Sequence, residues 1–76
     1  MTEPIVLDTK WLRCPLPVLK ARKALRDLEA GMVLRVLATD PGAIKDFEAF
    51  CKTTGHRLLA QSEAAGVLTF DIQKVE

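Results

Sequence analysis

The chain has 76 residues, of which 49% are apolar and 28% are charged, and its formal net charge is +1. This length suits a single domain, which we expect over residues 1–76, because a chain of this size buries only about 60% of its unfolded surface in one modest core. The near-neutral charge provides no electrostatic footprint for nucleic acid or an anionic membrane. No apolar run approaches the roughly 20 residues of a membrane span, and the first residues lack the features of a signal peptide. We therefore expect a cytoplasmic protein with reduced thiols and no membrane contact.

The hydrophobic pattern predicts four strands and two helices in the order βαβαββ. The predicted elements are a strand over 5–9, a helix over 15–30, a strand over 32–38, a helix that follows the turn at 39–42 and ends near 54, and strands over 56–61 and 67–75. Gly31 and Gly55 are placed to end the two helices. Right-handed crossovers put both helices on one face of the sheet, which predicts a two-layer α/β (α+β) sandwich. The mixed set expected on the open face is Val6, Asp8, Arg35, Thr69 and Asp71.

Cys14 stands at the start of the first helical pattern, directly before a Pro-Leu-Pro stretch that includes Pro15 and Pro17. The thiolate is the nucleophilic form of cysteine, and a helix N-terminus favours negative charge. Proline is compatible with the first helical position, and the sequence leaves open whether Pro15 or Pro17 begins the helix. We expect the adjacent cations Lys10 and Arg13 to help hold the anion, while the two prolines fix the loop. The pattern therefore predicts an exposed, reactive thiol at Cys14.

The two cysteines have different predicted roles. Cys51 falls on the apolar stripe of the second helix with Ile44 and Phe47, which predicts burial rather than a redox role. The sequence has no Cys-x-x-Cys pair and no Cys/His cluster with zinc spacing, so we expect neither a metal nor another cofactor. A lone exposed thiol without a base set is a poor hydrolase, and without a second cysteine in its motif it is a poor dithiol oxidoreductase. Cys14 is better suited to accepting a group and handing it on.

Several other residues allow both a structural and a functional interpretation. The cations of the first helix are Lys20, Arg22, Lys23 and Arg26. They form either a solvated helix face or a docking surface for an acidic partner or RNA. Asp40 most simply caps the second helix, and His56 has no sequence neighbour that would make it a general base. Trp11 either covers the edge of the core or contacts a partner together with Leu12.

Two stretches carry a resemblance to a known family. Leu7-Asp8, followed by Leu-Arg-Cys-Pro-Leu-Pro at 12–17, resembles the signature of the TusA/SirA sulfur-carrier family. Ala-Thr-Asp-Pro-Gly at 38–42, with Asp46-Phe47 and Phe50-Cys51 after it, resembles the second landmark of that family. The resemblance extends from about residue 5 to residue 75, and it implies a mixed four-stranded sheet in the order 1-2-4-3.

The resemblance also implies a sulfurtransferase that acts as a cysteine persulfide carrier, with weak or no turnover alone. Sulfane sulfur would arrive from a cysteine desulfurase or a rhodanese, rest on Cys14, and pass to a DsrE-like or other cysteine-bearing acceptor protein. The downstream uses known in the family are tRNA thiolation, molybdenum-cofactor synthesis and dissimilatory sulfur oxidation. By position, Arg22, Arg26 and Asp40 correspond to residues on the docking face of the family.

One position departs from the family, which usually has glycine where this chain has Trp11. A bulky side chain disfavours a positive φ, so we expect Trp11 to reshape the approach to Cys14. The alternative function is an RNA- or protein-binding regulatory module whose cysteine is incidental. The near-neutral charge and the few aromatic residues argue against direct binding of nucleic acid.

Overall fold

The computed structural model describes residues 3–75 as four strands and two helices. The elements are β1 (Ile5–Asp8), α1 (Leu16–Arg26), β2 (Val33–Ala38), α2 (Ala43–Thr54), β3 (Arg57–Ala64) and β4 (Val67–Gln73). The predicted βαβαββ order is confirmed. Residues 1, 2 and 76 of the domain expected over 1–76 lie outside the described residues. Neither helix within residues 3–75 has the length and apolar character needed to cross a membrane.

The sheet has the strand order β1-β2-β4-β3, as the family resemblance implies. β1 runs parallel to β2, whereas β4 is antiparallel to both β2 and β3. A parallel pair needs a crossover connection, and α1 provides it between β1 and β2. Consequently the carboxyl ends of β1 and β2 lie at the same edge of the sheet, where the loops leading into α1 and α2 leave it.

Both helices pack on one face of the sheet, and the core lies between the two layers. Strand alternation turns Leu34 and Val36 of β2 and Phe70 of β4 toward the helices. Phe47 of α2 contacts Phe70 with the ring centroids 4.6 Å apart, and both rings are buried. Cys51 also belongs to this core, as its place on the apolar stripe predicted.

The open face of the sheet carries the mixed set predicted for it. Arg35 and Asp71 are direct neighbours across β2 and β4. They form a two-pronged ion pair, with Arg35 Nε 2.8 Å from Asp71 Oδ1 and Nη2 3.0 Å from Oδ2. Val6 of β1 is in register with Arg35 on the same face. Because water screens this pair, it specifies the register of the strands more than it stabilises the fold.

The end of α1 differs from the prediction, because the helix stops at Arg26 rather than at residue 30. Lys74, which follows β4, forms hydrogen bonds at this end. Its Nζ donates to the carbonyl oxygens of Arg26 at 3.3 Å and Leu28 at 2.5 Å. Gly31 has the expected positive φ of 93°, but it lies in the turn before β2, where its N–H donates to Lys74 O at 2.8 Å. Carbonyl oxygens at the end of α1 are therefore bound by a residue distant in sequence, which the periodicity of α1 cannot reveal.

The other boundaries are closer to expectation. α2 ends at Thr54, and Gly55 follows it in the left-handed conformation with φ of 85°, as predicted. β3 extends to Ala64 rather than to residue 61, because its antiparallel pairing with β4 continues until Ala64 lies opposite Val67. A β-bulge in β3 leaves Leu59 out of the register, and its side chain is 51% exposed.

Candidate functional site

The loop that carries Cys14 is held against the end of β2 by Thr9 and Trp11. Thr9 is fully buried, and both its N–H, at 2.8 Å, and its hydroxyl, at 2.5 Å, donate to the carbonyl oxygen of Leu37. The N–H of Trp11 donates to Thr39 Oγ1 at 2.9 Å. These bonds extend the contact between the two parallel segments beyond the strands. The β1–α1 loop therefore lies beside the β2–α2 loop, at the carboxyl ends of parallel strands, where α/β folds commonly place their sites.

Cys14 lies just outside the first turn of α1, which settles where the helix begins. α1 starts at Leu16, Pro15 is the cap residue, and Pro17 takes the second helical position with its ring buried. The N–H of Leu16 donates to Arg13 O at 2.8 Å, which closes the turn around the cysteine. The peptide bond between Cys14 and Pro15 is cis. The Cys14 thiol itself is exposed.

Asp40 ties the two loops of the site together. Its Oδ2 accepts the N–H of Cys14 at 2.7 Å, and its Oδ1 accepts the N–H of Gly42 at 2.9 Å. These two hydrogen bonds, with a smaller contribution from the charge of Arg13, hold the pKa of Asp40 below its usual 3.8. The prediction that Asp40 caps α2 is therefore wrong, because Gly42 is the cap residue and the carboxylate turns toward Cys14 instead.

A second carboxylate, Asp46 in the first turn of α2, faces the sulfur of Cys14. The thiol donates a hydrogen bond to Asp46 Oδ2. This bond is the largest cause that raises the pKa of Cys14 from 9.0 to about 11, and desolvation and the charges of Asp46 and Asp40 add to it. The expected thiolate is therefore corrected, because the hydrogen bond to Asp46 and the charges of the two carboxylates favour the protonated thiol.

The cations expected to support a thiolate lie against other groups. Lys10 is turned back to the end of β1, where its N–H donates to Asp8 Oδ1 at 2.9 Å and its ammonium lies 3.9 Å from Asp8 Oδ2. The charge of Arg13 acts on Asp40, whose pKa it helps to lower. The structure thus replaces the predicted cationic support of Cys14 with an acidic surrounding.

Asp46 was not predicted to be a partner of the thiol. Its signals in the sequence are its place in the second family landmark and in the first turn of a helix that follows an Asp-Pro-Gly turn. Asp46 is 32 residues from Cys14, and the pairing of β1 with β2 is what brings the two together.

A groove of about 440 Å³ runs between the two helices and begins beside Cys14. It is lined by Pro15, Val18 and Arg22 on the α1 side and by Asp46, Phe50 and Thr54 on the α2 side. An adjoining depression of about 330 Å³ shares Arg22 and Phe50 and adds Arg26, His56 and Lys74. Arg22 and Arg26 therefore lie along one path that leads away from the thiol.

The remaining cations of α1 lie on its other flank. Lys23 lines a separate depression with Lys20, Leu7 and Asp27. The basic set of this helix is therefore divided, and it does not form one continuous surface. Of the residues predicted to dock a partner, Arg22 lines the groove beside Cys14 and Arg26 lines the depression that adjoins it, whereas Lys23 lines neither.

Trp11 is 83% exposed, so it does not cover the edge of the core. Its φ is 71°, in the left-handed region, which costs a residue other than glycine roughly 1–2 kcal/mol. Glycine, the usual residue at this position in the TusA/SirA family that the sequence resembles, adopts this conformation without strain. Trp11 thus presents a large apolar surface to solvent on the same loop as Cys14.

His56 has a structural role in the strand region behind the groove. Its Nδ1 accepts the N–H of Val75 at 3.1 Å, and burial together with the charge of Lys74 lowers the pKa of the ring. Within residues 3–75, no group of three or more His, Cys, Asp or Glu side chains is arranged to hold a metal ion. The chemical groups gathered at the site are the exposed thiol of Cys14 and the carboxylates of Asp46 and Asp40.

Comparisons with known proteins agree with the resemblance seen in the sequence. The family model described as sulfurtransferase TusA matches residues 5–74. A relative from Neisseria meningitidis serogroup A is 58% identical over 67 residues, which are 88% of this chain and 90% of the relative. The sulfur carrier protein TusA of Allochromatium vinosum is 50% identical over 68 residues, which are 90% of each chain.

A solved structure shows the same architecture. The crystal structure of a SirA-like protein from Desulfitobacterium hafniense has a TM-score of 0.83 to this chain, at 30% sequence identity. The similarity covers 95% of this chain and 99% of that chain. This similarity to a solved structure also confirms the predicted two-layer sandwich.

Proposed function

This chain belongs to the TusA sulfurtransferase family, a family of sulfur carriers, and we propose that it carries sulfane sulfur as a persulfide on Cys14. In this proposal a cysteine desulfurase or a rhodanese supplies the sulfur, and a DsrE-like or other cysteine-bearing protein receives it. The relay operates in the cytoplasm, where thiols stay reduced. It serves tRNA thiolation, molybdenum-cofactor synthesis or dissimilatory sulfur oxidation, with weak or no turnover by the chain alone.

The observation that carries the proposal is the contrast between the two cysteines. Cys14 is exposed at the head of the groove, whereas Cys51 is 7% exposed within the core. Gly42 lies directly beside the sulfur, because a Cβ at this position would be 3.6 Å from Cys14 Sγ. Exchange of sulfur between cysteines requires a nucleophilic sulfur and access to it, and Cys14 meets the second requirement.

Arg22 and Arg26 support a proposal about the docking surface. Both line the path between the helices that begins at Cys14. A donor or acceptor with acidic residues beside its own cysteine would match this arrangement of charge. Trp11, exposed on the Cys14 loop, is proposed as an apolar contact for the same partner. Asp40 contributes by fixing the backbone of Cys14, and Lys23 lies on the flank away from this surface.

The direct test is mass spectrometry of the chain after incubation with a cysteine desulfurase and cysteine, or with a rhodanese and thiosulfate. We expect the mass to rise by one sulfur atom, and the addition to be removed by a reductant. Peptide mapping is expected to place the sulfur on Cys14.

Two variants make this test specific. Cys14→Ser is expected to abolish loading, whereas Cys51→Ala is expected to load as the unsubstituted chain does, because Cys51 is buried. A chain that gains no sulfur with either donor, or a Cys14→Ser variant that loads normally, would contradict the proposal. RNA binding that depends on salt and persists in Cys14→Ser would favour the regulatory module instead.

A further inference from the structure

Asp46 is the side chain in direct contact with the reacting sulfur. Its Oδ2 accepts the hydrogen bond of the Cys14 thiol, and it sits at the end of the interhelical groove nearest that thiol. The other charged groups near Cys14 are accounted for: Asp40 accepts the backbone N–H of Cys14, Arg13 lies near Asp40, and Lys10 pairs with Asp8.

We propose that Asp46 is a second catalytic residue, which takes the thiol proton when Cys14 is loaded and returns it to the sulfur that leaves, an inference that rests on the proposed function. The step begins from the protonated Cys14, which must lose its proton before its sulfur can form a bond. The carboxylate that already accepts this proton is the nearest base, as general acid–base catalysis requires.

Loading is then a balanced exchange. Cys14 Sγ attacks the terminal, sulfane sulfur of a donor persulfide, written R–S–SH, and the thiol proton moves to Asp46. The S–S bond of the donor breaks, and its electron pair stays on the inner donor sulfur, which receives the proton from Asp46. The net reaction is Cys14–SH + R–S–SH → Cys14–S–SH + R–SH, with no oxidation or reduction beyond the transfer of one sulfur atom.

Delivery to an acceptor thiol is the reverse of the same exchange. Asp46 takes the proton of the acceptor thiol, the resulting thiolate attacks the terminal sulfur of the Cys14 persulfide, and Cys14 leaves as a sulfur anion. Asp46 then protonates that anion and restores the resting hydrogen bond. One carboxylate therefore serves both directions, because each direction releases a thiolate that needs a proton.

This role separates sulfur transfer from simple alkylation. Iodoacetamide releases iodide, which needs no proton, whereas a persulfide donor releases a thiolate, which does. Removal of the Asp46 carboxylate is expected to lower the pKa of Cys14 toward its ordinary value, because the hydrogen bond to Asp46 is the largest cause of the increase. The variant Asp46→Asn should therefore be alkylated faster near neutral pH, while its sulfur loading does not rise in proportion.

The experiment measures two rates on the Cys51→Ala background, which leaves one thiol: loading from glutathione persulfide and alkylation by iodoacetamide, each across a range of pH. For Asp46→Asn we expect the ratio of loading to alkylation to fall by about a hundredfold, at the lower end of what a positioned acid–base group contributes. The midpoint of the alkylation profile should also move to lower pH. Glu48→Gln, which makes the same charge change on an exposed position of α2, should leave the ratio and the midpoint unchanged.

The outcomes distinguish this inference from the proposed function. If the unsubstituted chain does not load at Cys14, the proposed function fails and the role of Asp46 fails with it. If the chain loads but the ratio in Asp46→Asn stays within about a factor of two of the original, the inference alone is overturned. An equal loss in Glu48→Gln also overturns it, because the effect would then come from net charge. Circular dichroism of Asp46→Asn is the check that this variant keeps the fold.

Discussion

The carboxylate of Asp40 holds the backbone N–H of Cys14 at 2.7 Å, although the two residues are 26 positions apart in the chain. The same carboxylate binds the N–H of Gly42, so one side chain fixes both the loop before α1 and the loop before α2. The backbone that carries the Cys14 sulfur is therefore held by a carboxylate, whose hydrogen bonds are lost when acid protonates it.

Asp40→Asn is expected to lower the melting temperature at neutral pH and to have a smaller effect in acid. The hydrogen bonds from Cys14 and Gly42 hold the pKa of Asp40 below 3.8 in the folded chain. Such a group stabilises the fold above its unfolded pKa, and this contribution is lost as the pH falls through the lower, folded value. Thermal unfolding from about pH 7 to about pH 3 checks the prediction, with Asp27→Asn as the control for charge. A difference in melting temperature that stays constant across this range would contradict it.

Alkylation of Cys14 is expected to be slow at physiological pH and to accelerate until about pH 11. The pKa of the thiol is raised from 9.0 to about 11, so near neutral pH the folded chain contains roughly a hundredfold less thiolate than an ordinary cysteine would provide. The Cys51→Ala variant isolates the Cys14 signal, and the same variant unfolded in urea supplies the ordinary thiol for comparison. Equal alkylation rates in the folded and unfolded chains at about pH 8 would show that Asp46 and Asp40 do not act on the sulfur.

Trp11→Gly is expected to raise the free energy of unfolding by up to about 1.5 kcal/mol. Relief of the left-handed strain at φ of 71° contributes roughly 1–2 kcal/mol, and the greater freedom of glycine in the unfolded chain offsets about 0.5–1 kcal/mol of it. Urea unfolding gives the difference. Trp11→Ala is the matched control, because alanine also removes the indole but keeps the Cβ and its strain, so it should gain nothing. A loss of stability in Trp11→Gly would mean that the exposed indole packs against the protein.

Arg22→Glu is expected to slow association with an acidic sulfur donor by at least about tenfold at low salt, and the effect should shrink as salt is added. The reason is the place of Arg22 in the groove that begins at Cys14. Lys23→Glu is the matched control, because it makes the same charge reversal on the same helix but on the opposite flank. Association rates from stopped-flow or surface binding measure both. Equal slowing by the two variants would indicate a general effect of net charge rather than docking in the groove.

Much of the fold could be predicted from the sequence, because its determinants are local. The apolar stripes of the helices, the alternation along β4 and the stop at Gly55 are all set by residues close to one another in the chain. The contact of Lys74 with the end of α1 could not be predicted, because Lys74 follows the last strand. The bulge at Leu59 could not be predicted either, because it depends on how β3 pairs with β4 and a run of apolar residues does not show that pairing.

The candidate site also has a part that could be predicted from the sequence and a part that could not. Cys14 stands out in the sequence because a cysteine, two prolines and a helix start are adjacent. The chemical surroundings of Cys14 cannot be seen in the sequence. Lys10 and Arg13 are near in sequence but act on Asp8 and Asp40. Asp46, which contacts the thiol, comes from the next helix. Proximity in the chain therefore predicts the position of the thiol correctly and the sign of the charge around it wrongly.

The short parallel contact between β1 and β2 gives the site a further property. β1 has four residues and lies at an edge of the sheet, and its pairing with β2 places the Cys14 loop beside the segment that carries Asp40 and Asp46. We therefore expect detachment of β1 to separate the Cys14 loop from both carboxylates together, which couples the state of this edge strand to the chemistry of the thiol.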